Sequence, residues 1–265
     1  MQAASMRAAA YKYIYEKLTS QEKIPPLLDE FPDVSYNTLL SIYSQKYQLL
    51  TRQNVHRHRR EDTAAKYLQW YLEGQEIIGI AERVNFSPCL LARIIVERLL
   101  KLSKPEVSRC LKDPSVISDE RLRREVEICV ECDETYSPSV ERVRHINGTE
   151  YEYILQEKVR NLGIPFATED DLRRMGYPKT PDIKLEVPIG VNGHVVNWID
   201  SKASFGDEYT HDMILKDQLQ GYVNRFGPGM VIYWFDFMDS LEQDANIYLV
   251  NDFPAHDIVL LPRSS

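Results

Sequence analysis

The chain lacks any apolar run long enough to cross a bilayer. Its longest stretches, such as Met230 to Phe235 and Ile258 to Leu261, fall far short of the ~20 residues a transmembrane helix needs. Met1 to Ala10 shows no continuous apolar core followed by a cleavage pattern, so no secretory signal is read there, and nucleus and cytoplasm are the expected locations. Cysteine is scarce: Cys89, Cys110, Cys129 and Cys132 are too few and too irregular for a disulfide framework. Cys129 and Cys132 have CxxC spacing, but a zinc site needs a second ligand pair and only His145 follows within reach. Two neighbours on one helical turn is the plainer reading. Low-complexity tracts are absent, and the only repeat is a rough similarity of two helical units.

Basic charge is scarce in the C-terminal part. Residues 147–265 hold 10 Lys and Arg against 19 Asp and Glu, whereas residues 1–146 hold 22 against 21. The deficit argues against a broad basic surface for nucleic acid, because phosphate neutralisation supplies most non-specific affinity. A metal-dependent site weakens that objection, since a bound cation inverts the local sign.

What the sequence does hold is enough apolar material for packed cores: 43% apolar and 10% aromatic over 265 residues, room for one large or two ordinary domains. Residues 6 to 130 read as helical throughout. Expected helices run Met6 to Leu18, Ser20 to Phe31, and from a Ser35 N-cap to about Leu50. Arg52 to Arg60 is the densest basic cluster, read as a solvated helix end with phosphate contact as the alternative. A helix from Thr63 to about Glu73 precedes a helix-turn-helix pattern, with Gln75 to Val84, a turn at Asn85-Phe86, and Ser87-Pro88 opening a helix through Leu102. That second helix begins with Cys89, Leu90 and Leu91, a poor set for base reading. Lys104 to Asn147 reads as helical segments broken at Pro105, Pro114 and Pro138, and Asn147-Gly148 as a hinge.

Beyond the hinge the texture changes. An amphipathic helix from Thr149 to Leu162 precedes strands at Ile183 to Ile189, Val195 to Ala203, Met230 to Phe237 and Ile247 to Val250, with a helix from about His211 to Phe226. This α-β-β-α-β-β order implies an α/β domain with a mixed sheet. The expected organisation is therefore an all-helical, helix-turn-helix-like region at 1–146 and an α/β domain at 147–265.

The chemistry concentrates between Pro181 and Lys202. Strand alternation puts Asp200 and Lys202 on one face and turns Ser201 to the other. Asn192-Gly193 is a two-residue hairpin signal. With Val191 paired to His194 and no bulge, Asp182 falls opposite Ala203 and beside Lys202. Two carboxylates suit Mg²⁺, which takes hard oxygen ligands and generates a nucleophile from water. Asp182 and Asp200 are the expected ligands, the Ser201 carbonyl a third, and Lys202 the group that orients the attacking water and stabilises developing charge. Isolated His194 and His211 read as surface residues.

Pro181-Asp182 with Asp200-Ser201-Lys202 resembles the PD-(D/E)XK nuclease superfamily. Thr180-Pro181-Asp182, the block Trp198 to Asp207, and Asn224 to Gly229 resemble its TPD-motif branch, the codanin-interacting nuclease family. The resemblance implies a restriction-endonuclease-like core of order α-β-β-β-α-β, preceded by a helix-turn-helix-like region. It further implies Mg²⁺-dependent hydrolysis of DNA, structured or branched DNA included, with Mn²⁺ as an alternative ion. Codanin is the implied partner, held through the C-terminal domain and linking the protein to chromatin and erythroid maturation. The superfamily usually adds an acid from the helix before the sheet. Glu152, at the margin of the face marked by Leu155 and Val159, is chosen over Glu150 and Glu157. Gln218 and Tyr222 share a helix face, and the resemblance places Gln218 at the water or a phosphate. Two other readings stand beside the nuclease: a nuclease-fold adaptor that binds codanin with little or no cleavage, and a helix-turn-helix transcription factor.

Overall fold

The computed structural model describes residues 5–241, 244–256 and 258–260. Its helices and strands run α1 (Ala8–Lys17), α2 (Ile24–Glu30), α3 (Tyr36–His58), α4 (Glu61–Leu72), α5 (Ile77–Val84), α6 (Pro88–Leu100), α7 (Lys104–Lys112), α8 (Glu120–Cys132) and α9 (Pro138–Asn161). There follow β1 (Phe166–Thr168), α10 (Glu169–Arg174), β2 (Ile183–Val191), β3 (His194–Lys202), α11 (Glu208–Ile214), a π-helical turn at Leu215–Leu219, α12 (Gln220–Phe226), β4 (Gly229–Tyr233), β5 (Ile247–Val250) and β6 (Ile258–Leu260). The fold class is α+β, as expected, but β1, α10 and β6, of three, six and three residues, lie outside the elements expected from the sequence.

The chain forms two compact units. One is Ser44–Ile146, and the other joins the residues up to Tyr43 with those from Asn147 on. The division thus falls after Tyr43 as well as after Ile146, where the expectation was one helical region over 1–146. Met6, Ile14, Leu18, Ile24, Leu27, Leu39 and Ile42 share a core with Trp198, Phe205, Tyr222 and Tyr233. Met6 also extends the backbone network, donating to the Phe237 carbonyl and accepting from the Asp239 N–H. The Asn147-Gly148 hinge is corrected too. Helix α9 runs through both residues unbroken, since one interior glycine costs a helix only about 1 kcal/mol. Likewise Pro105, Pro114 and Pro138 open helical segments rather than break them, because the first helical turn needs no proline N–H.

In the unit Ser44–Ile146, α4 to α8 enclose an all-helical core that includes Tyr67, Ile80, Leu91, Ile95, Leu122 and Cys129. The expected α5–α6 pair is present, joined through Asn85 in the left-handed region at φ 50°. Ser87 caps α6, accepting the Leu90 N–H at 3.1 Å. Buried Asp133 closes that same helix start, accepting from the Ser87 hydroxyl and from the Cys89 N–H at 3.0 Å. An intramolecular carboxylate thus fills the anion-favouring end that a base-reading helix would present. Helix α3 extends to His58 rather than Leu50, so Arg52 and Arg57 are exposed on its last turns. Cys129 is buried and Cys132 exposed on α8, and both are free thiols.

The second unit is built on one mixed sheet in the order β1-β2-β3-β4-β5, with β6 also on β2. β2 is antiparallel to β1, β3 and β6, and β3-β4-β5 are parallel. Alternation divides the side chains. Trp198, Val231, Tyr233 and Leu249 enter the core that holds α1 and α2 residues. Ile199, Met230, Ile232 and Val250 enter a second core with Leu155 and Val159 of α9. The layers are helix, sheet, helix. Gly229 is required at the start of β4, because a Cβ there would collide with the Trp198 ring. β4 ends at Tyr233 rather than Phe237, where the chain turns through Asp236 at φ 71°.

Candidate metal centre

The β2–β3 hairpin turns at Asn192-Gly193, both with positive φ, and pairs Val191 with His194 as expected. The pairing then slips. Ile189 opposes Val196, but Lys184 opposes Trp198 and Ile183 opposes Ile199. Three extra residues of β2 are taken up around Glu186, Val187 and Pro188, and a proline, having no N–H to give the ladder, is accommodated at such an irregularity. Asp182 is therefore not opposite Ala203. The slipped register, continued by one residue, brings it beside Asp200.

Asp182 is fixed at both ends. Its carbonyl accepts the Glu169 N–H at 3.2 Å and its Oδ2 accepts the Ser201 N–H at 2.7 Å. Since N–H and C=O of one strand residue face the same edge, the Ser201 carbonyl points to this side as well, past the last β2–β3 pair. The Ser201 hydroxyl lies in the opposite layer and accepts from Trp234 Nε1 at 2.8 Å. Asp200 is 2% exposed. Its Oδ2 lies 2.6 Å from Lys202 Nζ, a charge-assisted contact. Lys202 Nζ donates to Gln218 Oε1 at 3.2 Å. Gln218 lies in the π-helical turn, an irregularity frequent at functional sites. Tyr222 is buried in the core against Trp198, and its hydroxyl donates to the Thr180 carbonyl at 2.9 Å.

Electrostatics binds these groups together. Burial pushes the Asp182 carboxyl well above the ordinary carboxylate range, and the Asp200 charge adds to it; Lys202 and the Ser201 N–H pull the other way, and Glu152 adds a smaller push upward. Burial works against the Lys202 ammonium, but Asp200, Asp182 and Glu152 outweigh it, so its proton is held more tightly than usual. Glu152 is partly buried and within electrostatic reach of both. Glu150 is exposed, and Glu157 is paired with Arg160. Among the described residues no three His, Cys, Asp or Glu side chains form a closed metal-ligand group, so Glu152 contributes charge at the margin. The donor set nonetheless fits a hard cation: the carboxylates of Asp182 and Asp200 and, on the same side, the Ser201 carbonyl.

His211 corrects an expectation. It is 4% exposed, not a surface residue, with Nδ1 2.9 Å from the Tyr233 hydroxyl. His194 is exposed and stacks on Tyr248. Lys179 and Arg225 bond around the corner before Asp182, a role that the sequence does not reveal. Lys179 only adjoins Thr180-Pro181-Asp182, and Arg225 lies within the Asn224 to Gly229 block without a role of its own.

Fold and site define the class: an α+β protein whose sheet carries two carboxylates and a lysine at the end of its central antiparallel pair. Residues 118–253 match the family described as "Protein of unknown function TPD sequence-motif". Among curated relatives, CDAN1-interacting nuclease 1 of Xenopus tropicalis is 41% identical, covering 88% of this chain and 82% of the relative. The Bos taurus protein of that name is 39% identical over 97% and 98%, and the Homo sapiens one 38% over 95% and 96%. The chain belongs to the CDAN1-interacting nuclease 1 family. No solved structure matches it significantly.

Proposed function

We propose that this chain is a Mg²⁺-dependent nuclease of the PD-(D/E)XK type, hydrolysing phosphodiester bonds in DNA, branched or otherwise structured DNA included. The observation that carries this reading is the buried carboxylate of Asp200, set beside Asp182 and 2.6 Å from Lys202 Nζ. As structure alone such a cluster has little to recommend it, since a buried ion pair seldom stabilises more than apolar replacements. Asp182, Asp200 and the Ser201 carbonyl would hold the ion, with Glu152 reaching it through water. Bound there, Mg²⁺, or Mn²⁺ in its place, would supply Lewis-acid polarisation of the phosphate and a water of lowered pKa. Lys202, kept charged by its carboxylates, orients the attacking water and meets the developing negative charge, and Gln218 holds the ammonium in place. The relatives' name supports codanin as a partner, and in this reading the C-terminal part makes the contact.

The test uses linear, flap and four-way DNA with Mg²⁺, Mn²⁺ or EDTA, comparing the protein with Asp200→Ala. Metal-dependent cutting lost in the variant supports the site, and cutting that survives Asp200→Ala refutes it. The 19 acidic against 10 basic residues of 147–265 favour a second reading, a codanin-binding adaptor with little cleavage. Absence of both cutting and metal binding in calorimetry would select it.

A further inference from the structure

The corner that presents Asp182 is held by more than the sheet. Three successive carbonyls leading into it are each taken by a side chain of α12. Arg225 Nη1 donates to the Pro178 carbonyl at 2.7 Å and to the Lys179 carbonyl at 2.8 Å, and the Tyr222 hydroxyl donates to that of Thr180. The hold is reciprocal. Lys179 Nζ donates to the Asp217 carbonyl at 2.6 Å, and Asp217 precedes Gln218, the residue that receives the Lys202 ammonium. Gln218, Tyr222 and Arg225 are spaced i, i+4, i+7 along one side of the helical run. Their contacts join the lysine of the site to the loop that carries its first aspartate.

Lys179 stands at φ 51°, a left-handed conformation costly for a side chain with a Cβ. A glycine would hold that backbone more readily, but only the ammonium reaches Asp217. Backbone strain retained at an exposed position beside a functional site is a reason to look for a role there.

We propose that Lys179 and Arg225 are positioning residues that lock Asp182 in register with the Gln218–Lys202 pair. This rests on the metal-centre reading above. Neither side chain touches the reacting groups; Arg225 acts through the backbone that carries Asp182, and Lys179 through the turn that carries Gln218.

The test uses the full chain and the variants Arg225→Met, Arg225→Lys, Lys179→Met and Lys179→Gly. The Ser201 amide reports Asp182 directly, because it donates to Asp182 Oδ2. The Trp234 amide, which donates to the Lys202 carbonyl, is the control. In metal-free protein, Ser201 amide exchange is expected to rise at least about ten-fold in Arg225→Met and in Lys179→Met, with Trp234 unchanged. Mn²⁺ affinity by calorimetry is expected to fall about ten-fold in both, with Arg225→Lys intermediate. Lys179→Gly separates positioning from tethering: the relieved backbone holds or raises the melting temperature, yet Ser201 exchanges faster and Mn²⁺ binds more weakly. A mere tether predicts that Lys179→Gly leaves both unchanged. Ser201 exchange unaltered in Lys179→Gly and Arg225→Lys overturns the proposal, even where the methionine variants fail to fold. A wild-type chain that binds no Mn²⁺ defeats the metal-centre reading, while Ser201 exchange still decides the positioning claim.

Discussion

Asp182 Oδ2 accepts the Ser201 backbone N–H at 2.7 Å, across a hairpin whose unbroken register would have set Asp182 opposite Ala203. The three-residue slip in β2 moves the aspartate alongside Asp200 instead. Two carboxylates adjoining at the end of a strand pair repel each other, and that repulsion is relieved by a proton, by Lys202, or by a metal ion. Which of these holds the pair determines how the site responds to substitution.

Asp200→Asn keeps the shape of the site and removes the charge of its buried carboxylate. Mn²⁺ affinity is expected to fall at least about 100-fold by calorimetry, and cleavage by about 10²-fold or more. The melting temperature should stay within a few degrees, because the lost ion contact with Lys202 is matched by the loss of carboxylate repulsion.

Lys202→Met removes the only cation facing both aspartates among the described contacts. The metal-free protein is expected to melt lower, with two buried carboxylates left uncompensated. Added Mn²⁺ should raise the melting temperature by more than it does in wild type, while turnover falls by about 10²-fold or more. A variant with wild-type turnover would remove Lys202 from the chemistry.

His211 supplies a pH dependence away from the metal centre. Burial lowers its pKa below the ordinary 6.5, only partly offset by Asp212, and its Nδ1 lies against the Tyr233 hydroxyl. Between the depressed folded value and 6.5 the unfolded chain binds more protons, so stability rises with pH across that window. The contribution is fully present above 6.5 and is lost as pH falls toward the folded value. Urea unfolding at pH 5.0 to 7.5 should show this slope in wild type and a shallower one in His211→Gln.

Asp133 should be the most costly single truncation in the helical unit. It is buried and accepts from the Ser87 hydroxyl and from the N–H groups of Cys89, Thr135 and Tyr136. Asp133→Ala leaves those donors unsatisfied, for an expected loss of about 2–4 kcal/mol by denaturant unfolding.

Gly229→Ala is expected to destabilise by about 1–3 kcal/mol through forced displacement of the Trp198 ring. Displacement should also break the Trp198 Nε1 bond to the Gly227 carbonyl and shift the tryptophan fluorescence of the folded protein.

Much of this molecule is legible before any coordinates. Ser35 accepts the Thr38 N–H and Ser87 the Leu90 N–H, as their capping chemistry requires. Asn192-Gly193 makes the turn its φ preferences allow. Asp200, Ser201 and Lys202 take the faces that strand alternation assigns. Each of these is a local property, fixed by a residue and its immediate neighbours.

What the sequence by itself determined was therefore the helices with strong caps, the hairpin turn and the residue types of the site. Only the tertiary structure decided the partners. It drew residues 5–43 into the sheet unit, because an amphipathic helix shows that it has an apolar face but not which core receives it. It slipped β2 by three residues, because a strand's register depends on both neighbours and on a proline that cannot join the ladder. It turned the apparent recognition helix against Asp133, and it clasped the Asp182 corner to α12 through Lys179 and Arg225. Long-range pairing is a choice among many local solutions of similar energy, and the whole packed core makes that choice.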